Sequence, residues 1–265
     1  MRAALFFNNH KENSAEDIQN ITNKLAKCGF EVLLQGEHEN TDSILHRCDV
    51  VIVAGGDGTI LRYAKLSAQF SKLILGINNG SIGFLAELKN NQVGDACKII
   101  SGDYKISKRM LLEVSFEMNG EVRKIYTLND VVISRGPESQ IVKYDIIKSG
   151  GSVCKFRADG VIIATPTGST AYSLSAGGPI VEPTMECVAV TPVCAFSLDA
   201  RPRVLSAGKE ITVECTVRSG SEVVLAIDGE VQMKSDDPGL IKIKKADITA
   251  DFIAFEKRVL YESIS

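Results

Sequence analysis

The chain has 265 residues, 45% of them hydrophobic and 24% charged, and a formal net charge of −3. That length suits two domains and lets a core be buried without disulfide or metal staples. The weakly acidic balance argues against a nucleic-acid partner, which needs a basic field over the phosphates, and no apolar run approaches the roughly 18 residues of a membrane span.

Arg2–Phe7 reads as a short apolar strand, and the polar residues Asn8 to Glu12 follow it at once, so no secretory signal is read there. Ser14 with Asp17 resembles a capping box. Ile18, Ile21, Leu25 and Cys28 then recur at helical spacing, with Gly29 placed to end the helix. Glu31–Leu34 is a second strand and Asp49–Ala54 a third, apolar almost throughout as expected where helices cover both sheet faces. A helix over Ile60–Phe70 and a strand over Leu73–Ile77 complete an alternating, mostly parallel, Rossmann-like α/β domain.

The rhythm changes after Gly102. Leu112–Phe116 and Val122–Leu128 flank Asn119-Gly120, the pair that a type I′ hairpin turn prefers. Ile141–Lys148 and Val153–Arg157 flank Ser149-Gly150-Gly151, and further strands are predicted over Ile211–Val217, Val223–Ile227 and Leu240–Ile243. The expectation is an α/β domain over 1–101, an all-β, sandwich-like domain over 102–250, and a tail over 251–265 that packs back on the first. The seven cysteines are odd in number and contain no C-x-x-C pair, which fits neither a disulfide framework nor a zinc site. They read as reduced, mostly buried thiols of a cytoplasmic protein. The three histidines (His10, His38, His46) show no ligand spacing, and no metal-ligating residue is predicted.

Two stretches carry chemistry. Gly55-Gly56-Asp57-Gly58-Thr59 joins an apolar strand to a helix. Glycines there permit close approach of a ligand, and a helix N-terminus suits phosphate, although the spacing and lysine of a Walker A loop are missing. Asp57 is placed to act as a general base for a hydroxyl or to organise a cation. Arg62, about one turn into the helix, is either a contact to an anionic ligand or a solvated surface charge. The second stretch, Ala164-Thr165-Pro166-Thr167-Gly168-Ser169-Thr170-Ala171-Tyr172-Ser173-Leu174-Ser175-Ala176-Gly177-Gly178-Pro179, is dense in hydroxyls and glycines. It reads either as a close-fitting polar pocket, with Tyr172 against a ring, or as a Ser/Thr-rich turn into a capped helix.

Together these stretches resemble the NAD kinase family, the second being close to its signature; the first alone is shared with diacylglycerol kinases and phosphofructokinases. Gly76-Ile77-Asn78-Asn79-Gly80-Ser81-Ile82-Gly83-Phe84-Leu85, Leu128-Asn129-Asp130, Arg157-Ala158-Asp159-Gly160 and Ala226-Ile227-Asp228-Gly229 resemble further family segments, in the family's order. The resemblance implies transfer of the γ-phosphoryl of ATP to the 2′-hydroxyl of the adenosine ribose of NAD, with Mg²⁺ or another divalent cation accompanying ATP. It implies Asp57 as the base and a nucleotide site drawn from Gly58, Arg62, Phe84, Asn129, Asp130, Arg157, Asp159, Thr170, Ala171, Tyr172, Ser175 and Cys194. It also implies a homodimer or homotetramer. Asp130 stands where Glu is usual, Ala158 where Gly is common, Ala195-Phe196 where many relatives have Pro-His, and Glu230 where Gln is frequent. Two other readings stay open: a non-catalytic NAD(P)-binding regulator, and a diacylglycerol-type lipid kinase resting on Gly55–Thr59 alone.

Overall fold

The computed structural model describes residues 1–7, 15–34, 40–78 and 83–255. The chain divides into two compact units, one formed by Met1–Arg109 with the end of the chain from Ile248, the other by Met110–Asp247.

In the first unit, β1 (Arg2–Phe7), α1 (Ala15–Lys27), β2 (Glu31–Leu34), α2 (Thr41–Arg47), β3 (Val50–Ala54), α3 (Asp57–Gln69) and β4 (Leu73–Asn78) alternate. The strands pair in parallel in the order β4-β3-β1-β2. The chain's last strand joins beside β4, where Phe252 pairs with Ile74. All five residues of β3 are buried, so helices cover both faces of the sheet. Ile21 and Leu25 of α1 pack with Leu5, Ile52 and Leu75. Acidic Glu16 and Asp17 in the first turn of α1, and Lys24 and Lys27 in its last, complement the helix dipole. The unit closes with β5 (Leu88–Lys89), a 3-10 turn at Asn90–Ala96 and α4 (Cys97–Ser101).

Three expectations need correction here. The predicted Ile60–Phe70 helix begins three residues earlier, at Asp57, because Gly56 serves as its N-cap and an aspartate is favoured in a first turn. The sequence reading missed α2, although Asn40 caps it by accepting the Asp42 N–H at 3.0 Å; seven residues with only Ile44 and Leu45 buried leave almost no periodic signal. The cysteines are not mostly buried: Cys48 and Cys187 are, Cys28, Cys154 and Cys215 are half-buried, and Cys97 and Cys194 are exposed. Ser14, Asn79–Ile82 and the tail from residue 256 lie outside the described residues.

The second unit is antiparallel. Its strands are β6 (Lys105–Met118, entering from the first unit), β7 (Glu121–Thr127), β8 (Asp130–Arg135), β9 (Val142–Lys148), β10 (Gly151–Ala158), β11 (Gly160–Ala164), β12 (Cys187–Val193), β13 (Arg203–Ser206), β14 (Ile211–Thr216), β15 (Val223–Ile227), β16 (Glu230–Ser235) and β17 (Leu240–Ala254). One sheet runs β10-β9-β14-β17, with β6 pairing β17 and β7; the other runs β13-β12-β11-β8-β15-β16. Their inner faces share a core that includes Val114, Tyr144, Ile146 and Val213 from the first sheet and Val131, Ile133, Val161, Ile163 and Leu225 from the second. This is the sandwich that alternating strand patterns imply. Asn119 and Gly120 both take positive φ (55° and 77°), as the I′ turn requires. The second hairpin turns on Ser149-Gly150 alone, and Gly151 already belongs to β10. The strand β17 runs on to Ala254, well past the predicted end at Ile243: the alternation breaks at Lys244-Lys245 and resumes one position out of phase at Ala246, which hides the continuation from a period-two pattern.

Candidate functional site

In the first unit the chemistry gathers around Asp57. The buried strand β3 delivers the chain to Gly55 and Gly56, and α3 starts at once, with Gly56 as its N-cap residue. The Asp57 carboxylate reaches across to the segment after β4. Its Oδ2 accepts the Phe84 N–H at 2.8 Å and its Oδ1 the Leu85 N–H at 3.2 Å. Each oxygen keeps a further lone-pair site for another donor. Gly83 is required beside it, since a Cβ there would lie 2.1 Å from Oδ1. A Cβ on Gly58 would meet no protein atom within 4 Å, so the space beside that residue is open. Arg62 is exposed, with its guanidinium 5.7 Å from the ring centre of Tyr63, which itself stacks on Phe6.

In the second unit one carboxylate organises a loop. Asp228 sits in the turn between β15 and β16 with φ 48°. Its Oδ1 accepts the Thr127 hydroxyl at 2.6 Å, the Asn129 N–H at 2.8 Å and the Asp130 N–H at 3.2 Å, while Oδ2 accepts the Leu128 N–H at 3.2 Å. Four donors on one carboxylate fix the backbone that presents Asn129 and Asp130. Asp130 is 5% exposed. Burial, and secondarily the negative charge of Asp228, push its carboxyl up to about 7.

The hydroxyl-rich stretch folds over the outer face of the same sheet. Val161 and Ile163 of β11 face the sandwich core, whereas Ile162 and Ala164 form a second cluster with Ala189, against which Ala176 packs. The stretch continues as a 3-10 turn (Gly168–Thr170) and the single-turn α5 (Tyr172–Ser175). Its hydroxyls divide into two sets. Thr165 donates to the Leu128 carbonyl at 2.5 Å and accepts the Gly168 N–H at 3.0 Å. Ser169 bonds Pro166 and Val181, and Ser173 bonds Thr191 at 2.9 Å. These three are buried and spent on the fold. Of the four positions that the family resemblance selected, Thr170 and Ala171 are half-buried and Tyr172 and Ser175 exposed; Gly177 is exposed as well. The stretch is a hydroxyl-laced turn, and the single helical turn it leads into has no side-chain cap on its N-cap residue Ala171. Gly168 fits against Asn129, whose carbonyl oxygen would lie 2.0 Å from any Cβ there.

Asp159 pairs with Arg135, Oδ1 to Nε at 2.7 Å, and Arg135 also donates to the Ser139 carbonyl at 3.1 Å. Both partners are more than a third exposed, so the pair orients more than it stabilises. Exposed Arg157 holds its guanidinium 5.6 Å from the ring centre of Phe196, in the loop where exposed Cys194 takes φ 49°. Ala158 is buried at the end of β10, paired with Val142, so this strand accepts the methyl group without a turn there. Arg135 and the acceptor role of Asp228 escaped the sequence reading. Asp228-Gly229 was legible as a turn, but its bonds reach partners about a hundred positions away.

Comparison with known proteins covers both units. A model of the ATP-NAD kinase N-terminal domain matches residues 4–104, and one of the ATP-NAD kinase C-terminal domain matches residues 128–255. A protein of Citrifermentans bemidjiense named NAD kinase is 39% identical over 212 residues, 79% of this chain and 74% of its own length. A yeast NADH kinase solved with NADH superimposes with a TM-score of 0.89 at 25% identity, over 100% of this chain and 86% of that one. An NAD kinase of Archaeoglobus fulgidus solved with ATP gives 0.78 at 27% identity, over 100% and 97%.

Proposed function

The chain belongs to the NAD kinase family, and on that premise we propose that it moves the γ-phosphoryl of ATP onto the 2′-hydroxyl of the adenosine ribose of NAD, with Asp57 as the base. The observation that carries this reading is the setting of Asp57: a carboxylate held by two N–H donors at the first turn of a helix, beside a glycine open to approach. Phosphoryl transfer asks the protein mainly for positioning and charge stabilisation. A fixed carboxylate supplies the proton acceptor, and the α3 N-terminus favours phosphate. Gly58 and Phe84 border the reacting groups, and exposed Arg62 serves an anionic part of a substrate. A divalent cation enters as part of the Mg·ATP substrate, where it offsets phosphate charge; no residue of the chain is assigned to hold it.

In the second unit, Asn129 and Asp130 take the adenosine half of NAD, with the Asp130 carboxylate accepting from ribose hydroxyls. Thr170, Ala171, Tyr172 and Ser175 line the adenine, and Arg157, Asp159 and Cys194 border the rest of the dinucleotide. The test is product formation. Purified protein given NAD and Mg·ATP should make NADP, detected with an NADP-specific dehydrogenase. A melting temperature raised by NAD with no NADP formed would replace this reading with that of a non-catalytic regulator.

Asp130 gives the reading a pH signature. Its carboxyl titrates near 7 in the ligand-free fold, against an ordinary value of 3.8. A folded value raised above the unfolded one means that the native state binds the extra proton, so this group's contribution to stability falls as pH rises from about 4 to about 7. Hydroxyl donors from a ribose favour the charged carboxylate. NAD should therefore bind with proton release below pH 7, and its affinity should drop roughly tenfold per unit as the pH is lowered. Calorimetry in two buffers of different ionisation enthalpy reads this directly; a binding heat that ignores the buffer at pH 6 would remove Asp130 from the ribose.

The protein is further proposed to be cytoplasmic and to work as a homodimer or homotetramer. Phe196 and Leu198 are 78% and 84% exposed, and the six-stranded sheet ends in open edges at β13 and β16. Native mass spectrometry should give at least twice the chain mass at micromolar concentration, and a monomer alone would defeat the assembly.

A further inference from the structure

The first unit brings two cysteines together, far from Asp57 in sequence and outside every role assigned above. Cys28 follows the last turn of α1, and Cys97 opens α4. Cys28 Sγ donates to the Gly94 carbonyl at 3.4 Å, and Cys97 Sγ donates to the same oxygen at 2.8 Å. Two sulfurs sharing one acceptor lie no further apart than those two distances end to end. Cys97 is exposed and Cys28 half-buried, so solvent reaches one thiol fully and the other partly.

We propose that Cys28 and Cys97 form a reversible dithiol–disulfide site, oxidised by small hydroperoxides. The exposed Cys97, as thiolate, attacks the terminal oxygen of the peroxide; the O–O bond breaks, and the second oxygen leaves as water or alcohol after taking up a proton. Cys97 is then a sulfenic acid. Cys28 attacks that sulfur, the S–O bond breaks, and water leaves with the Cys28 proton. In total two thiols lose two electrons and two protons, and one hydroperoxide becomes one alcohol and one water, or two waters from hydrogen peroxide. A low-molecular thiol reverses the change by exchange at the disulfide.

The division of labour follows from the surroundings. Burial and the adjacent Cys97 both raise the Cys28 thiol above its usual range, which suits a resolving partner better than a first nucleophile. A reducing compartment does not oppose the site, because disulfides that form there are transient and sensing rather than structural. The cross-link would close a loop over residues 29–96. That loop contains Asp57 and the Phe84 and Leu85 amides that hold it, so oxidation constrains the segment on which the candidate base is mounted.

The experiment uses the whole chain, reduced and then freed of thiol reagent. After treatment with a few equivalents of hydrogen peroxide, a non-reducing digest should contain a linked pair of peptides carrying Cys28 and Cys97, lighter by two hydrogens than the reduced pair and separated by dithiothreitol. The melting temperature should rise by roughly 5–10 °C, as expected for a loop of this size in a protein of this length. Cys28→Ser should stop at a Cys97 sulfenic acid that a cyclic dione traps, and Cys97→Ser should give no linkage. Both variants should keep the melting temperature of the reduced protein. Exposed Cys194 serves as an internal control for the oxidant. The proposal is overturned if Cys194 is oxidised while Cys28 and Cys97 both still react with iodoacetamide, or if Cys97 passes to sulfinic acid with Cys28 left as a thiol.

Discussion

Asp57→Asn should lower kcat by roughly 10²–10⁴-fold, the usual worth of a positioned base, while leaving the fold and NAD binding in place. The substitution is not structurally silent, and its cost can be stated. An Asn side chain keeps one oxygen to accept from Phe84 or Leu85 but turns an NH₂ toward the other N–H, a loss of about 1–2 kcal/mol. That is too little to unfold a domain of this kind. Gly83→Ala separates position from chemistry. Its methyl would sit 2.1 Å from Oδ1, so the carboxylate must move although the residue remains an aspartate. If turnover depends on where the carboxylate stands, both variants lose kcat with NAD affinity kept. Turnover of Asp57→Asn within a few-fold of wild type would exclude the base role, and would leave Asp57 as a clamp for the 83–85 backbone.

Asp228→Ala should be damaging in the second unit although Asp228 is not itself a proposed substrate contact, because it holds the backbone of two residues that are. It removes the acceptor for one hydroxyl and three backbone N–H groups. Each bond to a charged acceptor contributes about 1.5–3 kcal/mol, and a buried donor left unpaired costs about 1–3. Asp228 is only half-buried, so water replaces part of what is lost, and a net destabilisation of about 2–4 kcal/mol is expected. In a chain of this size that lowers the melting temperature by roughly 5–15 °C. Asp228→Asn should fall between, since its oxygen still serves the Oδ1 cluster while its NH₂ opposes Leu128. The functional readout is distinct from the structural one: the Leu128–Asp130 backbone loses its register, so KM for NAD should rise more than kcat falls. Removing the Asp228 charge also removes one of the two causes that raise Asp130, and the pH dependence of NAD binding should move to lower pH. An unchanged melting temperature with unchanged KM would show that the loop holds its shape without this carboxylate.

The fold was legible where periodicity was strong and local. The apolar runs of β3 and β4, the spacing of Ile21 and Leu25, and the Asn119-Gly120 turn each carry their signal within a few residues. Among the elements missed were α2, with two buried residues, β11 and β12, whose nearly continuous burial removes the alternation that marks a strand, and the edge strands β13 and β16, which bury little. The candidate site came to notice in a different way. Composition alone left the Thr165–Pro179 stretch undecided, and the family resemblance, not spacing, selected Thr170, Ala171, Tyr172 and Ser175 within it. Nothing local announced that Asp57 would be gripped by amides 27 and 28 residues later, or that Asp228 would hold Asn129 from 99 residues away. Such contacts depend on loops meeting only after the strands have paired, and no window along the chain contains both partners.

The two-sided burial of β11 also governs how freely the protein can be re-engineered. Thr165, Gly168, Ser169 and Ser173 hang from a strand that is core on both faces, and their side chains are committed to internal bonds or to close backbone contact. A library randomised across the whole stretch would spend most of its members on unfolded chains. One confined to exposed Tyr172 and Ser175 would vary the proposed adenine contacts while leaving those internal bonds in place, so selection for altered specificity and selection for expression would act on separate residues.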